Sequence, residues 1–296
     1  MFTKKTVIKN SLFLILLLFF ISATLFLIRY NFLLNAKFKE AKKNTKIISS
    51  TIIDNFNYAE KILNFVGQKI SDHDNPNDLK FIYNLFEKTA SMNNIDNQIF
   101  SWSKFDWVDK NNFQTVNSMM GVNKSNPPNM SVRGYTKEAK FDPWKIKIVE
   151  PLYGYPSKLY VIPVGIGVVN KKGYYLGLIA VGIDTKKISG KILQQIGMKN
   201  HFTVVDAKEY KIAFDSFNED ISKSHSDFFY KLKRNKFFEQ TEKQEDILQD
   251  MRFGDIDYVY AYKMEKPYPY LILSGYNKTE FDEKFCDESI YIFIQI

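Results

Sequence analysis

The chain has 296 residues and one cysteine, and its 41 Lys and Arg against 33 Asp and Glu give a net charge of +8. Only Arg29, Arg133, Arg234 and Arg252 are arginine, and the lysines are scattered singly among acids, which excludes the clustered Arg of a nucleic-acid reader. Cys286 alone allows no internal disulfide and no multi-cysteine metal site, and His73, His201 and His225 form no metal-spaced pair.

The wealth of Lys, Asn, Ile, Phe and Tyr is that of an AT-rich coding bias. Cysteine avoidance suits an oxidising compartment such as a periplasm. Residues 1–10 carry Lys4, Lys5 and Lys9 and read as a short cytoplasmic tail. Ser11 to Ile28 follow without a charge. As a helix these residues rise about 27 Å, close to the hydrocarbon thickness of a bilayer. A cleaved signal peptide has a shorter apolar run ending in a small-x-small site. Phe26-Leu27-Ile28-Arg29-Tyr30 offers no such pair, which favours an uncleaved anchor. Basic residues flank both sides (Arg29, Lys37, Lys39, Lys42 and Lys43 follow), so charge bias leaves orientation near a tie. The short tail favours the N-terminus inside. The expected location is then a bacterial inner membrane, crossed once, with the bulk of the chain periplasmic or extracellular.

Residues 30–70 read as a long stalk helix. Proline is absent from 36–70, and Ile48, Ile52, Phe56, Ala59, Leu63, Val66 and Ile70 recur in steps of four and three, one stripe along a helix. Ser71 to Asp78 break it, and Asp78 is placed to cap a second helix, Leu79 to Ala90. The pattern then turns to strands at Gln98 to Trp102, Phe105 to Val108 and, past the turn Asp109 to Asn112, Phe113 to Val116. Asn123 to Met130 is a loop. Leu159 to Val169 and Tyr174 to Ile183 form the clearest hairpin, with Gly173 free to take positive φ in the turn. Thr185 to Met198 reads as a helix.

The order then recurs. Phe202 to Asp206 and Tyr210 to Phe214 are short strands. A polar, helix-prone stretch runs from about Ser224 to Asp250, and Ile256 to Met264 pairs with Tyr268 to Tyr276. Two PAS-like antiparallel sheets follow from this order, a membrane-distal module over 71–198 and a membrane-proximal one over 199–288. Residues 289–296, SIYIFIQI, are too few to span a bilayer; they are either a last packed strand or the first turns of a second, truncated span.

Residues 30–288 resemble the double Cache (dCache) ectodomains of bacterial transmembrane sensors. The resemblance lies in element order and in one segment: Ser131-Val132-Arg133-Gly134-Tyr135, Glu150-Pro151-Leu152-Tyr153-Gly154, Val161-Ile162-Pro163-Val164, Gly173-Tyr174-Tyr175-Leu176-Gly177 and Gly182-Ile183-Asp184. It implies an α+β fold: a transmembrane helix and long stalk helix carrying two PAS-like modules, the distal one holding a small ligand. It also implies signalling in the manner of a histidine kinase or chemoreceptor, although no transmitter domain is present in these residues. The implied partners are a small molecule, the membrane, a second copy through the stalk helix, and a separate transmitter protein.

Arg133, Tyr135, Trp144, Tyr153, Tyr160 and Asp184 supply a donor fork, apolar walls and a carboxylate, the types a small-molecule pocket needs. Trp102 and Trp107 are outer candidates. Each has a plainer reading: half-buried sheet aromatics for the rings, a helix cap for Asp184. The Arg-x-x-Trp-Tyr pattern of amino-acid-binding relatives is absent, so an amino-acid ligand is not implied. No Gly-x-Ser-x-Gly elbow, His-Glu-x-x-His or P-loop occurs, so neither an enzyme nor a cofactor is expected. The alternatives are an anchored interaction module or ligand-free remnant of a truncated sensor kinase and, less favoured, an anchored hydrolase.

Overall fold

Sixty-nine residues without a proline fold as one helix, α1 (Lys4–Asp72). The computed structural model describes residues 4–95, 102–154, 158–207, 211–216, 245–253, 256–265, 268 and 270–295. Along its first half α1 has no apolar partner wide enough to cover it among the described residues. Phe13, Phe19 and Phe20 are 65–67% exposed, a state water disfavours. Among the described residues this is the one helix long and apolar enough to cross a membrane. Farther along, every residue of the expected stripe from Ile48 to Ile70 is buried to 1% exposure or less. Asp78 caps the second helix, α2 (Leu79–Ile95), accepting from the Lys80 and Phe81 amides at 3.0 and 3.2 Å.

The first sheet holds β1 (Trp102–Asp109), β2 (Gln114–Asn117), β3 (Gly121–Val122), β4 (Lys147–Ile148), β5 (Leu152–Gly154), β6 (Leu159–Val169) and β7 (Tyr175–Asp184). Its order is β3-β2-β1-β7-β6-β4, with β5 on β6. The β6–β7 turn is the expected one, with Gly173 at φ 81°. Between β3 and β4 lies α3 (Gly134–Phe141), and after β7 comes α4 (Thr185–Ile196). The second sheet holds β8 (His201–Asp206), β9 (Lys211–Asp215), β10 (Glu245–Phe253), β11 (Ile256–Glu265) and β12 (Tyr270–Asn277), ordered β10-β11-β12-β8-β9.

Both sheets put the first strand beside the last, with the second strand outside it. The repetition reaches single bonds. Phe105 N–H donates to Ser118 Oγ at 2.9 Å and the Phe105 carbonyl accepts from Ser118 N–H in return, while Phe202 and Ser216 make the same exchange at 3.2 and 3.0 Å. A serine just past the second strand therefore ties down the first strand in each module.

Three expectations meet the structure differently. The strand expected at Gln98 to Trp102 lies outside the described residues except for Trp102, which opens β1. Of the helix-prone stretch from Ser224, residues 224–244 lie outside the described residues. Residues 245–253 are β10, not helix: pairing Ile247 with Ala261 and Leu248 with Tyr260 overrides a polar local composition. Of the two readings of 289–296, the last strand is not formed: residues 289–295 continue the final helix, α5 (Lys278–Gln295).

α1 passes the second sheet before the first. Ser49 hydrogen-bonds Glu265 and accepts from Lys263 Nζ at 2.8 Å on β11, whereas Ser71 donates to Val169 of β6 at 2.8 Å. At 1.5 Å per residue these points stand roughly 30 and 65 Å beyond Ile28, so of the two sheets the first is distal to the apolar segment. α5 returns beside the start of α1. Phe285 packs on Phe26 with centroids 4.7 Å apart, Tyr30 donates to Asp282 at 3.0 Å, and Arg29 pairs with Glu288 at 3.4 Å.

Candidate functional site

Strand alternation gives the distal sheet two unlike faces. Phe105 and Trp107 of β1, Ile179, Val181 and Ile183 of β7, and Ile162, Val164 and Ile166 of β6 join the core beneath α1 and α2. The opposite face carries Lys104, Asp106 and Val108 from β1, Leu178 and Ala180 from β7, and Gly165 and Gly167 from β6. α3 lies on this second face, where Tyr135 and Ala139 pack with Val108, Leu178 and Ala180. Gly167 is what admits it. A Cβ there would stand 2.1 Å from the Ala139 carbonyl oxygen.

Asp106 is 7% exposed, with hydrogen bonds to one carboxylate oxygen and an ion pair at the other. Its Oδ1 accepts from Gln114 Nε2 at 2.5 Å and Asn117 Nδ2 at 2.6 Å, and Oδ2 stands 3.5 Å from Lys104 Nζ. Asn117 Oδ1 accepts the Met119 and Met120 amides at 2.9 and 3.0 Å, which turns its Nδ2 toward Asp106. Burial raises the Asp106 carboxyl above its usual pKa, opposed by the Lys104 charge and the two amides. The Lys104 side chain is itself only 10% exposed, and among the described residues Asp106 is its one ion-pair partner.

Tyr135 lies within electrostatic reach of both Asp106 and Arg133. Burial and then the Asp106 charge raise its phenol pKa, and the Arg133 charge opposes them. Arg133 is the N-cap residue of α3, extended at φ −80° and ψ 127°, and its side chain makes no capping bond. Thr136 Oγ donates to its carbonyl at 2.7 Å, which secures the backbone. No described carboxylate pairs with the guanidinium, so its five-donor fork is unclaimed within the described fold.

Two long-helix-mounted sheets of this order recur in solved structures. The sensory domain of the Campylobacter jejuni chemoreceptor Tlp3 with isoleucine bound superposes at a TM-score of 0.59 and 14% identity, over 84% of this chain and 95% of that one. The extracellular domain of vpHK1S-Z8, assigned as a histidine kinase, gives 0.62 at 12% identity over 84% and 98%. The ligand-binding domain of Mlp24 with asparagine gives 0.57 at 11% over 83% and 94%. The fold is that of double Cache sensor domains. No family model matches the chain, and no curated protein matches it in sequence.

Within the double Cache fold the six expected site residues take different places. Tyr135 packs on the sheet from α3, and Arg133 caps that helix within electrostatic reach of it. Trp144 does not join them: at φ 66°, with its amide donating to Gly167 O at 3.0 Å, it packs on the core under α1. A Cβ on Gly67 of α1 would meet its ring at 2.9 Å. Tyr153 of β5 is 53% exposed and meets Tyr160 of β6 edge-on at 5.3 Å, a cross-strand pair at the sheet edge. Asp184 caps α4 through the Lys187 amide at 3.1 Å. Trp107 is a core residue at 1% exposure, and the Trp102 side chain lies outside the described residues.

Lys104 and Asp106 were not among the expected residues. The signal was present in Lys104-Phe105-Asp106-Trp107: two charges on one face of a strand whose other face is aromatic, a pattern that buries both charges once the sheet is covered on both sides.

Proposed function

We propose that the chain is a membrane-anchored sensor whose distal module binds a small molecule between α3 and the sheet. The observation that carries this is the buried polar cluster of Lys104, Asp106 and Tyr135, beside the unpaired Arg133, on the covered face of a double Cache sheet. Arg133 takes the ligand's anionic group, and Tyr135 and Met130 supply apolar wall. Ser11 to Ile28 anchor the chain with its N-terminus inside, and both modules stand outside the cytoplasmic membrane. The Tlp3 and Mlp24 domains with isoleucine and asparagine bound support a small ligand of metabolite size. α1 carries the signal because it packs on both sheets. The mechanism is a population shift, which requires different ligand affinity in two arrangements of sheet and helix. Output passes through a second copy along α1 or a separate transmitter protein, and no enzymatic activity is assigned.

The test is a thermal-shift screen of the full chain in lipid nanodiscs against a broad metabolite panel, followed by titration of any stabilising compound. Arg133→Ala is expected to weaken its binding by at least about tenfold, the scale of a lost charge-assisted hydrogen bond. Unchanged affinity would remove the site assignment.

A second reading is an anchored interaction module without a ligand. The contact of α3 with β6 at Gly167, and the apolar packing of Tyr135 and Ala139, favour it. Silence of the full chain across the whole panel would support that reading.

A further inference from the structure

We infer that Lys104 sets the chemical class of the ligand: the distal site takes a small organic carboxylate and rejects the corresponding amino acid. This rests on the small-molecule reading above and adds to it which group of the ligand the site can hold.

An ammonium brought out of water into this face needs a carboxylate to receive it. Asp106 is the carboxylate at the centre of the face, and it is engaged by Gln114, Asn117 and Lys104. The Lys104 ammonium holds the place at Oδ2 that a ligand's ammonium would take. Being tethered two residues away on the same strand, it competes at high effective concentration. Asp184, the other candidate, is committed to capping α4. A ligand ammonium would therefore stand beside Lys104 with no carboxylate left for it, and like charges in a buried place repel. The unpaired Arg133 offers the opposite welcome, a fork shaped for a carboxylate. Lys104 adds a second cation nearby, with two of its three donors still open among the described residues.

The test uses matched pairs that differ by the α-ammonium alone: propionate and alanine, 4-methylpentanoate and leucine, succinate and aspartate. Each is titrated into the full chain in nanodiscs, wild type and Lys104→Met, by calorimetry and thermal shift. In the wild type at least one carboxylate is expected to bind about tenfold or more tighter than its amino-acid partner. In Lys104→Met the Asp106 carboxylate is opened, so the preference narrows or inverts as amino-acid affinity rises. Lys104→Met/Asp106→Asn, which removes both charges, keeps the test alive if the single variant fails to fold; it is expected to lose discrimination without gaining amino-acid binding. An amino acid that binds the wild type as tightly as its deaminated partner overturns this inference while leaving the small-molecule reading intact. Silence toward all six compounds in both wild type and variant overturns this inference, and the small-molecule reading falls with it only if the broad panel is silent as well.

Discussion

Replacing Gly167 by alanine tests how α3 is held over the candidate site. The new Cβ would stand 2.1 Å from the Ala139 oxygen and 2.9 Å from its carbonyl carbon, against 3.4 Å or more in ordinary contact. Both partners are backbone, so neither can swing aside. α3 must lift by roughly 1 Å, or β6 must bow away and loosen its bonds to β7. Overpacking of this kind costs about 1–3 kcal/mol. At roughly 2–4 °C per kcal/mol for a domain of this size, the melting temperature falls by about 2–12 °C. The assay is circular-dichroism melting of the full chain in detergent, with Gly190→Ala as the contrast. Gly190 lies inside α4 with nothing within 4 Å of a new Cβ. Alanine there should stabilise by about 0.5–1 kcal/mol through helix propensity. A Gly167→Ala protein that melts with the wild type would refute the seating of α3 on this sheet, and with it the covered site.

Other residues give sharp outcomes. Asp184→Ala should lower stability by about 1 kcal/mol, because the α4 cap is lost, and Asp184→Asn should restore most of it; equal melting of all three proteins would show that the cap contributes nothing. Leu63→Ala, at a position of 0% exposure where α1 meets the distal sheet, should cost about 2–5 kcal/mol, read as an earlier urea midpoint with an unchanged slope. Burial lowers the His201 imidazole pKa, opposed by the Glu280 charge. The folded state therefore binds that proton more weakly than the unfolded one. Stability from this group is full above pH of about 6.5 and declines as pH falls from there through the folded value. Melting scans between pH 7.5 and 5.5 should show a shallower decline for His201→Gln than for wild type, and parallel curves would contradict it.

Much of the fold is legible because periodicity and turn chemistry agree over long stretches. The α1 stripe has no interruption, Asp78 and Asp184 precede their helices as caps, and the Asn170–Gly173 turn joins two runs rich in Val, Ile and Tyr. β10 was not legible, since Glu245-Asp246 and Gln249-Asp250 gain strand character only by pairing with β11. Nor was α3. Its eight residues carry no helix signal strong enough to stand apart from the loop before them, and its place depends on one glycine of β6, Gly167, far along the chain. The site residues were read as a set because they lie near one another in sequence. Spacing could not show that Trp144 turns toward α1 while Tyr135 packs on the other side of the sheet. It also passed over Asp106, whose partners Gln114 and Asn117 arrive from a neighbouring strand.

The central claim is that a small molecule binds beneath α3 in the distal module and is felt by α1. Hydrogen exchange on the full chain in nanodiscs, with and without a saturating amount of the best-binding carboxylate of the three, tests it most directly. The account predicts slower exchange in Gly134–Phe141 and Trp102–Asp109, with a smaller change in α1 near Gly67 where Trp144 packs. Saturation that leaves α3 and β1 exchanging at their original rates, or that protects only β10 to β12, would contradict it.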